Sequence, residues 1–285
     1  MITLADALAQ GRKRIANVSR SASLDAQLLM AKVLGVDRVY VLAHGERELS
    51  EAELARFIVL VERAAKGEPL AYILGKRAFY KGEFIVTPDV LIPRPETELL
   101  VEKALAWINE QCDRPFRAID IGTGSGAIAV SVAMDAPASV EVHASEVSLP
   151  ALEIAKQNAT LHGVADRMTF WHGDLLTPVI EHGLKFDLIM ANLPYIPHEV
   201  IDGLDVKVRD FEPDVALDGG GDGLDLVRRL IAQIPSVCDK GACILLEIGA
   251  DQGAAALETV QTLHPTFATV HKDYAGLDRT VEARL

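Results

Sequence analysis

The sequence predicts an α/β protein: a mainly parallel sheet with helices on both faces, preceded by a small all-helical domain and a β-hairpin linker. Three observations predict it. Helical texture runs without a strand from Leu4 to Lys66, the texture breaks between Ala78 and Pro95, and beyond that apolar runs alternate regularly with helical segments. A chain of 285 residues has room for a small domain joined to one of standard size. The expected divisions are a helical domain over 1–77, a hairpin and linker over 78–95, and the α/β domain over 96–285.

In the first region Leu54, Phe57, Ile58 and Val61 recur at helical spacing and form one apolar stripe, and Ser50 with Glu53 reads as a capping box. Leu24, Leu28 and Ala31 repeat the spacing in an earlier helix. Phe79, Tyr80, Phe84, Ile85 and Val86 then flank a Lys81-Gly82 turn, and Pro88, Pro93 and Pro95 follow, which predicts a hairpin and an extended linker. The expected sheet strands are Arg117 to Ile121, Val140 to Ala144, Met168 to Trp171, Phe186 to Ala191, Cys243 to Ile248, Phe267 to His271 and Thr280 to Leu285. Sheets of this kind bind ligands beyond the carboxyl ends of their strands, where the strand order reverses. Residues directly after each strand are therefore the candidates for function.

Composition narrows the function classes. At 49% apolar and 24% charged residues the chain can bury a sizeable core. Its net charge of -13, from 41 acidic and 28 basic side chains, repels phosphate backbones and anionic membranes, so no stable nucleic-acid partner is expected. Cys112, Cys238 and Cys243 are odd in number and lack paired ligand spacing, which predicts neither a disulfide framework nor a zinc site and points to a reducing cytoplasm. Met1 to Arg14 does not read as a secretory signal, and no stretch approaches the roughly 18 apolar residues of a membrane span.

The first sheet strand runs into Asp120-Ile121-Gly122-Thr123-Gly124-Ser125-Gly126, and an apolar helix follows. Glycines here permit a tight turn and close approach of a ligand to the backbone, although such a turn also forms with no ligand. Dinucleotide folds use Gly-x-Gly-x-x-Gly at a helix N-terminus. This Gly-x-Gly-x-Gly after an aspartate instead resembles the loop of class I (Rossmann-like) methyltransferases, which implies S-adenosylmethionine held around Gly122, Thr123, Gly124, Ser125 and Gly126. Glu146 ends the second strand about twenty residues on, where a carboxylate can accept from both ribose hydroxyls; a solvated loop acid is the plainer alternative. Asp174, in His172-Gly173-Asp174-Leu175, is placed to accept from an adenine amino group with Leu175 against the ring, and equally fits a helix N-cap.

The fourth strand leads into Asn192-Leu193-Pro194-Tyr195. An amide nitrogen is a poor nucleophile, because its lone pair is delocalised into the carbonyl. The Asn192 side-chain oxygen and the Leu193 backbone oxygen can each accept one N–H and aim the nitrogen at a methyl donor, so Asn192 borders both donor and acceptor. Those hydrogen bonds strengthen as positive charge builds on nitrogen. Tyr195 can stack on the planar acceptor, and Pro194 locks φ in the turn. Rival chemistries fit poorly: His198-Glu199 lacks the second histidine of a zinc protease, and no serine has a nucleophile-elbow context, so no metal is expected.

These motifs together resemble the release factor glutamine methyltransferases of the PrmC/HemK family. The resemblance covers nearly the whole chain, including Gly67 to Gly75, Leu91 to Glu98, the glycine loop, Phe211-Glu212-Pro213, Gly220 to Leu224, Glu247-Ile248-Gly249 and Asp273 to Arg279. It implies that the acceptor is the glutamine of the Gly-Gly-Gln loop in class 1 peptide chain release factors, gripped in part by the helical domain. Two positions depart from the family: Leu193 stands where proline is usual, and Glu146 where aspartate is. Asn-Leu-Pro-Tyr is also similar to the motif of adenine N6 methyltransferases acting on ribosomal RNA, the alternative reading. The segment Pro93 to Glu98 either lines the cofactor pocket or orders the linker.

Overall fold

The computed structural model describes residues 2–111 and 115–285. Cys112 lies outside the described residues. Contacts divide the chain into two compact units, one of residues up to Lys76 with Asp205–Phe211, the other of Arg77–Leu204 with Glu212–Leu285.

The first unit holds helices α1 (Leu4–Ile15), α2 (Ala22–Leu34), α3 (Arg38–Ala43), α4 (Glu51–Ala65) and α5 (Leu70–Leu74). Capping boxes start α1 at Thr3 with Asp6 and α4 at Ser50 with Glu53, satisfying N–H groups that a helix end leaves unpaired. Of the stripe expected on α2, Ala31 is buried and Leu28 half-buried, but the centre of the buried face is turned away from Leu24. Ala26, Leu29, Met30 and Val33 are buried, at the same i, i+3, i+4, i+7 spacing, whereas Leu24 is 39% exposed. On α4, Phe57 and Val61 are buried but Ile58 is 49% exposed. Several apolar stripes fit a short helix, and packing chose those facing α1. The Phe57 ring lies so close to Gly11 of α1 that a Cβ there would meet it at 2.7 Å. The sequence assigned 205–211 to the α/β domain, but Val206 and Phe211 lie beside Gly67, and the segment groups with this first unit.

In the second unit a hairpin, β1 (Lys76–Phe79) and β2 (Gly82–Ile85), precedes α6 (Glu98–Gln111). The sheet strands are β3 (Phe116–Ile121), β4 (Val140–Glu146), β5 (Met168–His172), β6 (Phe186–Ala191), β7 (Cys238–Glu247), β8 (Phe267–Lys272) and β9 (Asp278–Arg284). Among the described residues they form one seven-stranded sheet in the order β5-β4-β3-β6-β7-β9-β8, parallel except for β9 against β7 and β8. Helices α7 (Ala127–Asp135), α8 (Leu149–Leu161), α9 (Thr177–Glu181), the short α10 (Val206–Arg209) of the first unit, α11 (Asp225–Val237) and α12 (Gly253–Gln261) complete the chain.

Alternate strand residues feed two separate cores. Ala118, Leu188, Met190, Cys243 and Leu245 pack with α6 and α7, while Ile119, Ile189, Ala191, Ile244 and Leu246 pack with α11 and α12. Both faces are covered, which is why consecutive apolar residues appear in these strands, as at Leu188–Ala191 and Ile244–Leu246. The chain winds from β3 outward to β5 and then returns to β3's other side with β6. The strand order therefore reverses beside β3, and the ends of β3, β4 and β6 converge on one crevice.

Cys238 and Cys243 are free, buried thiols, and burial pushes Cys238 up to about 12. No helix among the described residues is long and apolar enough to cross a membrane, and no group of His, Cys, Asp or Glu among them could hold a metal ion.

Candidate active site

At that crevice lies a cavity of about 320 Å³, lined by the glycine loop after β3, the end of β4, the turn after β5 and the loop after β6. Its size suits a nucleoside-sized ligand. Gly122, Gly124 and Gly126 all have positive φ. A Cβ on Gly126 would stand 3.0 Å from Ala155 of α8, so the close packing of loop on helix excludes a side chain. Nothing stands within 4 Å of a Cβ built at Gly124, which borders open space. Gly122, Thr123, Gly124 and Ser125 line the cavity; Gly126 lies behind them as the N-cap of α7.

Asp120 sits beneath this loop, fully buried. Thr123 Oγ1 donates to its Oδ2 at 2.6 Å, and its Oδ1 has no partner. Burial drives its carboxyl up to about 7, outweighing the Thr123 hydrogen bond, and Glu146 pushes the same way. Glu146 ends β4 with its carboxylate accepting from Gly124 N at 2.8 Å and from Ser148 N at 2.9 Å. Two backbone amides thus orient a buried acid whose remaining lone pairs suit a diol.

After β5, Asp174 and Leu175 line the cavity. Leu175 holds a φ of 52°, unusual for a branched side chain, and Ser145 Oγ donates to its carbonyl at 2.6 Å. Asp174 is paired with Arg229 of α11, which also lines the cavity. In the sequence Arg229 is one arginine on an amphipathic helix, which carries no local signal.

After β6, Asn192, Leu193 and Pro194 line the cavity. Asn192 Nδ2 donates to Thr97 Oγ1 at 3.2 Å, so the oxygen end of this amide is the one available to an incoming N–H. Leu193 does more than present a carbonyl. Its buried side chain packs over the glycine loop, 3.0 Å from a Cβ built on Gly122. Tyr195 is not among the lining residues; burial, with Glu247 next, pushes its phenol pKa up, and its carbonyl accepts from Gln252 Nε2 at 2.9 Å.

Three further groups border the site: Asn158, which went unread in the sequence, and Glu212 and the 219–223 loop, which the sequence offered only as motifs of the resemblance. Asn158 on α8, fully buried, donates to Ser125 O at 2.8 Å and exchanges hydrogen bonds with Ile85 of the hairpin. Glu212, also buried, accepts from Arg94 at 2.5 Å and from Ile92 N at 3.2 Å; Arg94, Pro93 and Thr97 line the cavity, so the linker forms one of its walls. The glycine-rich loop 219–223 lies against the Asn192–Tyr195 loop, with Gly219 N donating to Ile196 O at 2.9 Å.

Known proteins carry the same pattern. Residues 6–75 match the family model described as the PrmC N-terminal domain, and residues 97–206 that described as the methyltransferase small domain. The chain is 41% identical over 281 residues to the release factor glutamine methyltransferase of Moorella thermoacetica, covering 98% of this chain and 97% of that one. It is 40% identical over 286 residues to the protein of the same name from Bacillus subtilis, covering 99% and 97%. Among solved structures, the catalytic domain of hMettl16 in complex with a MAT2A 3'UTR hairpin matches with a TM-score of 0.56 at 16% identity, over 82% of each chain. At that identity the likeness shows a shared methyltransferase fold alone.

Proposed function

The chain belongs to the release factor glutamine methyltransferases, and from that premise we propose that it methylates the side-chain amide nitrogen of the Gly-Gly-Gln glutamine in class 1 peptide chain release factors, in the cytoplasm and with S-adenosylmethionine as donor. The observation that carries this reading is the shared cavity: Asn192, Leu193 and Pro194 line the same space as the glycine loop and Glu146. A donor and an amide acceptor can meet there.

The donor set fits S-adenosylmethionine. Glu146 offers a carboxylate to the ribose hydroxyls, the Asp174–Leu175 turn flanks a place for adenine, and the open space at Gly124 admits the ligand's close approach. The Glu146 carboxylate beside the loop opposes a pyrophosphate and suits a cationic sulfonium. When bound, the cofactor supplies an electrophilic methyl group.

The residues of the chain then orient the acceptor. Asn192 Oδ1 and the Leu193 carbonyl accept the two amide N–H bonds, which fixes the plane of the glutamine side chain and leaves its nitrogen facing the methyl group. As the nitrogen gains positive charge, these two acceptors bind it more tightly than the ground state, and the reaction is speeded by that difference. The surplus proton leaves to water. Pro194 holds the turn, and the helical first unit is the surface we assign to gripping the release factor.

Incubation of the purified protein with labelled S-adenosylmethionine and a bacterial release factor, followed by mass spectrometric mapping, is the test. Label on the Gly-Gly-Gln peptide is expected. Label on ribosomal RNA in its place would transfer the assignment to adenine N6 methylation.

A further inference from the structure

Glu247 closes β7 next to the acceptor loop and is buried, yet methyl transfer as derived above gives it no task. Its Oε2 has no hydrogen-bond partner. The groups that face it come from each element packed around it: Thr97 and Glu96 from the turn before α6, Asn192 from the loop after β6, and Arg279 from β9. Tyr195 feels its charge as well. Thr97 and Asn192 face its carboxyl, and Asn192 Nδ2 donates to Thr97 Oγ1 at 3.2 Å.

We propose that Glu247 is a positioning residue which, with Thr97, sets the orientation of the Asn192 side-chain amide. The proposal rests on the function assigned above, because it concerns the oxygen that receives the glutamine N–H. An amide is nearly symmetric in shape, and only its hydrogen bonds decide which end faces which way. A carboxylate can only accept. Facing Glu247, Asn192 must therefore present nitrogen to Thr97 and Glu247, and its oxygen is the end left for the substrate. Thr97 Oγ1 accepts from Asn192, which leaves the hydroxyl proton to the carboxylate that faces it. A flipped amide would set Oδ1 against the carboxylate oxygens and offer the substrate a donor where it needs an acceptor.

Polarity of this chain requires an ionised Glu247. Burial pushes its pKa up to about 7, while the Thr97 hydrogen bond and then Arg279 act in the opposite direction and Glu96 adds to the rise. Once protonated, the carboxyl becomes a donor as well as an acceptor and no longer discriminates between the two ends of Asn192.

Glu247→Gln keeps the volume and adds a donor, making both orientations of Asn192 satisfiable. Turnover on a Gly-Gly-Gln peptide should fall about 100-fold, the scale of misplacing an aligned group, with the peptide KM and the S-adenosylmethionine Kd nearly unchanged. The wild-type loss of kcat on acidification through neutral pH should be absent from the variant. Thr97→Val should share the defect and Thr97→Ser should recover most of the rate. Wild-type kcat in Glu247→Gln, or equal losses in Thr97→Val and Thr97→Ser, would overturn the proposal.

A second readout needs neither turnover nor a Glu247 variant. In protein labelled with 15N-asparagine, the Asn192 side-chain amide resonance, assigned by its loss in Asn192→Ala, should shift with a midpoint near neutrality. A resonance that stays fixed across this range would overturn the positioning role. If the wild type methylates no release factor while this shift is present, the substrate assignment fails and the Glu247–Asn192 coupling stands.

Discussion

Asn192 and Thr97 stand 95 residues apart in sequence and are joined by a 3.2 Å hydrogen bond from Asn192 Nδ2 to Thr97 Oγ1. One belongs to the loop that would receive the acceptor, the other to the turn that ends the linker. The linker wall, with Arg94 bound to buried Glu212, thereby borders the same cavity as Asn192.

Replacing Asn192 by alanine removes one of the two acceptors proposed for the glutamine nitrogen. Turnover should fall by about two orders of magnitude or more, the usual loss for one preorganised hydrogen-bonding group, with little change in cofactor affinity by isothermal titration calorimetry. Near-normal turnover would show that a different group receives the substrate amide.

Glu146→Ala should act on the other half of the site. It removes a charged acceptor and leaves the Gly124 and Ser148 amides without their partner. A hydrogen bond to a charged group is worth about 1.5–3 kcal/mol, so S-adenosylmethionine should bind about tenfold more weakly or worse. Equilibrium dialysis measures this directly, and an unchanged Kd would remove Glu146 from the cofactor site.

Gly223→Ala should damage the fold under the acceptor loop. Gly223 has a φ of +79°, and an added Cβ would stand 2.2 Å from Tyr195 O and 2.5 Å from Gln252 Nε2. Overpacking of this kind costs about 1–3 kcal/mol, and the positive φ adds about 1–2 kcal/mol for an L side chain. Chemical denaturation should show the loss. By contrast Gly221→Ala, with nothing within 4 Å and no positive φ, should be nearly neutral.

Asp120 makes stability depend on pH in a definite direction. Its folded carboxyl lies at about 7 against an ordinary 3.8. Between those values the folded state holds the proton more firmly than the unfolded chain, so this contribution is fully present below the ordinary value and is lost as pH rises through the folded one. Glu247 acts with the same sign. In Asp120→Asn the fall in Tm from mildly acid to neutral pH should be shallower than in the wild type; an identical slope would mean that Asp120 is ionised throughout.

Much of this protein was legible in its sequence, because the features involved are local. Strands buried on both faces read as apolar runs, as Phe186 to Ala191 did, and a turn needing positive φ at Gly122, Gly124 and Gly126 repeats glycine at short spacing. The tetrapeptide from Asn192 to Tyr195 is contiguous, so its chemistry could be read before its surroundings were known. Helix faces were less secure: Leu24 and Leu28 have helical spacing, but so do Ala26, Leu29, Met30 and Val33, and only packing against neighbouring helices chose between them.

Only the tertiary structure decided what surrounds Asn192. Thr97, Glu247, Asn158 and Arg229 reach the site from four separate elements, and contacts across such separations leave no periodicity behind. Leu193 shows the division most directly. From sequence it is a departure that still supplies a carbonyl; in the folded chain its side chain fills the space over Gly122. Sequence alone specifies the candidate groups for chemistry, because their identity is local, whereas their orientation depends on distant partners that meet only when both faces of the sheet are packed.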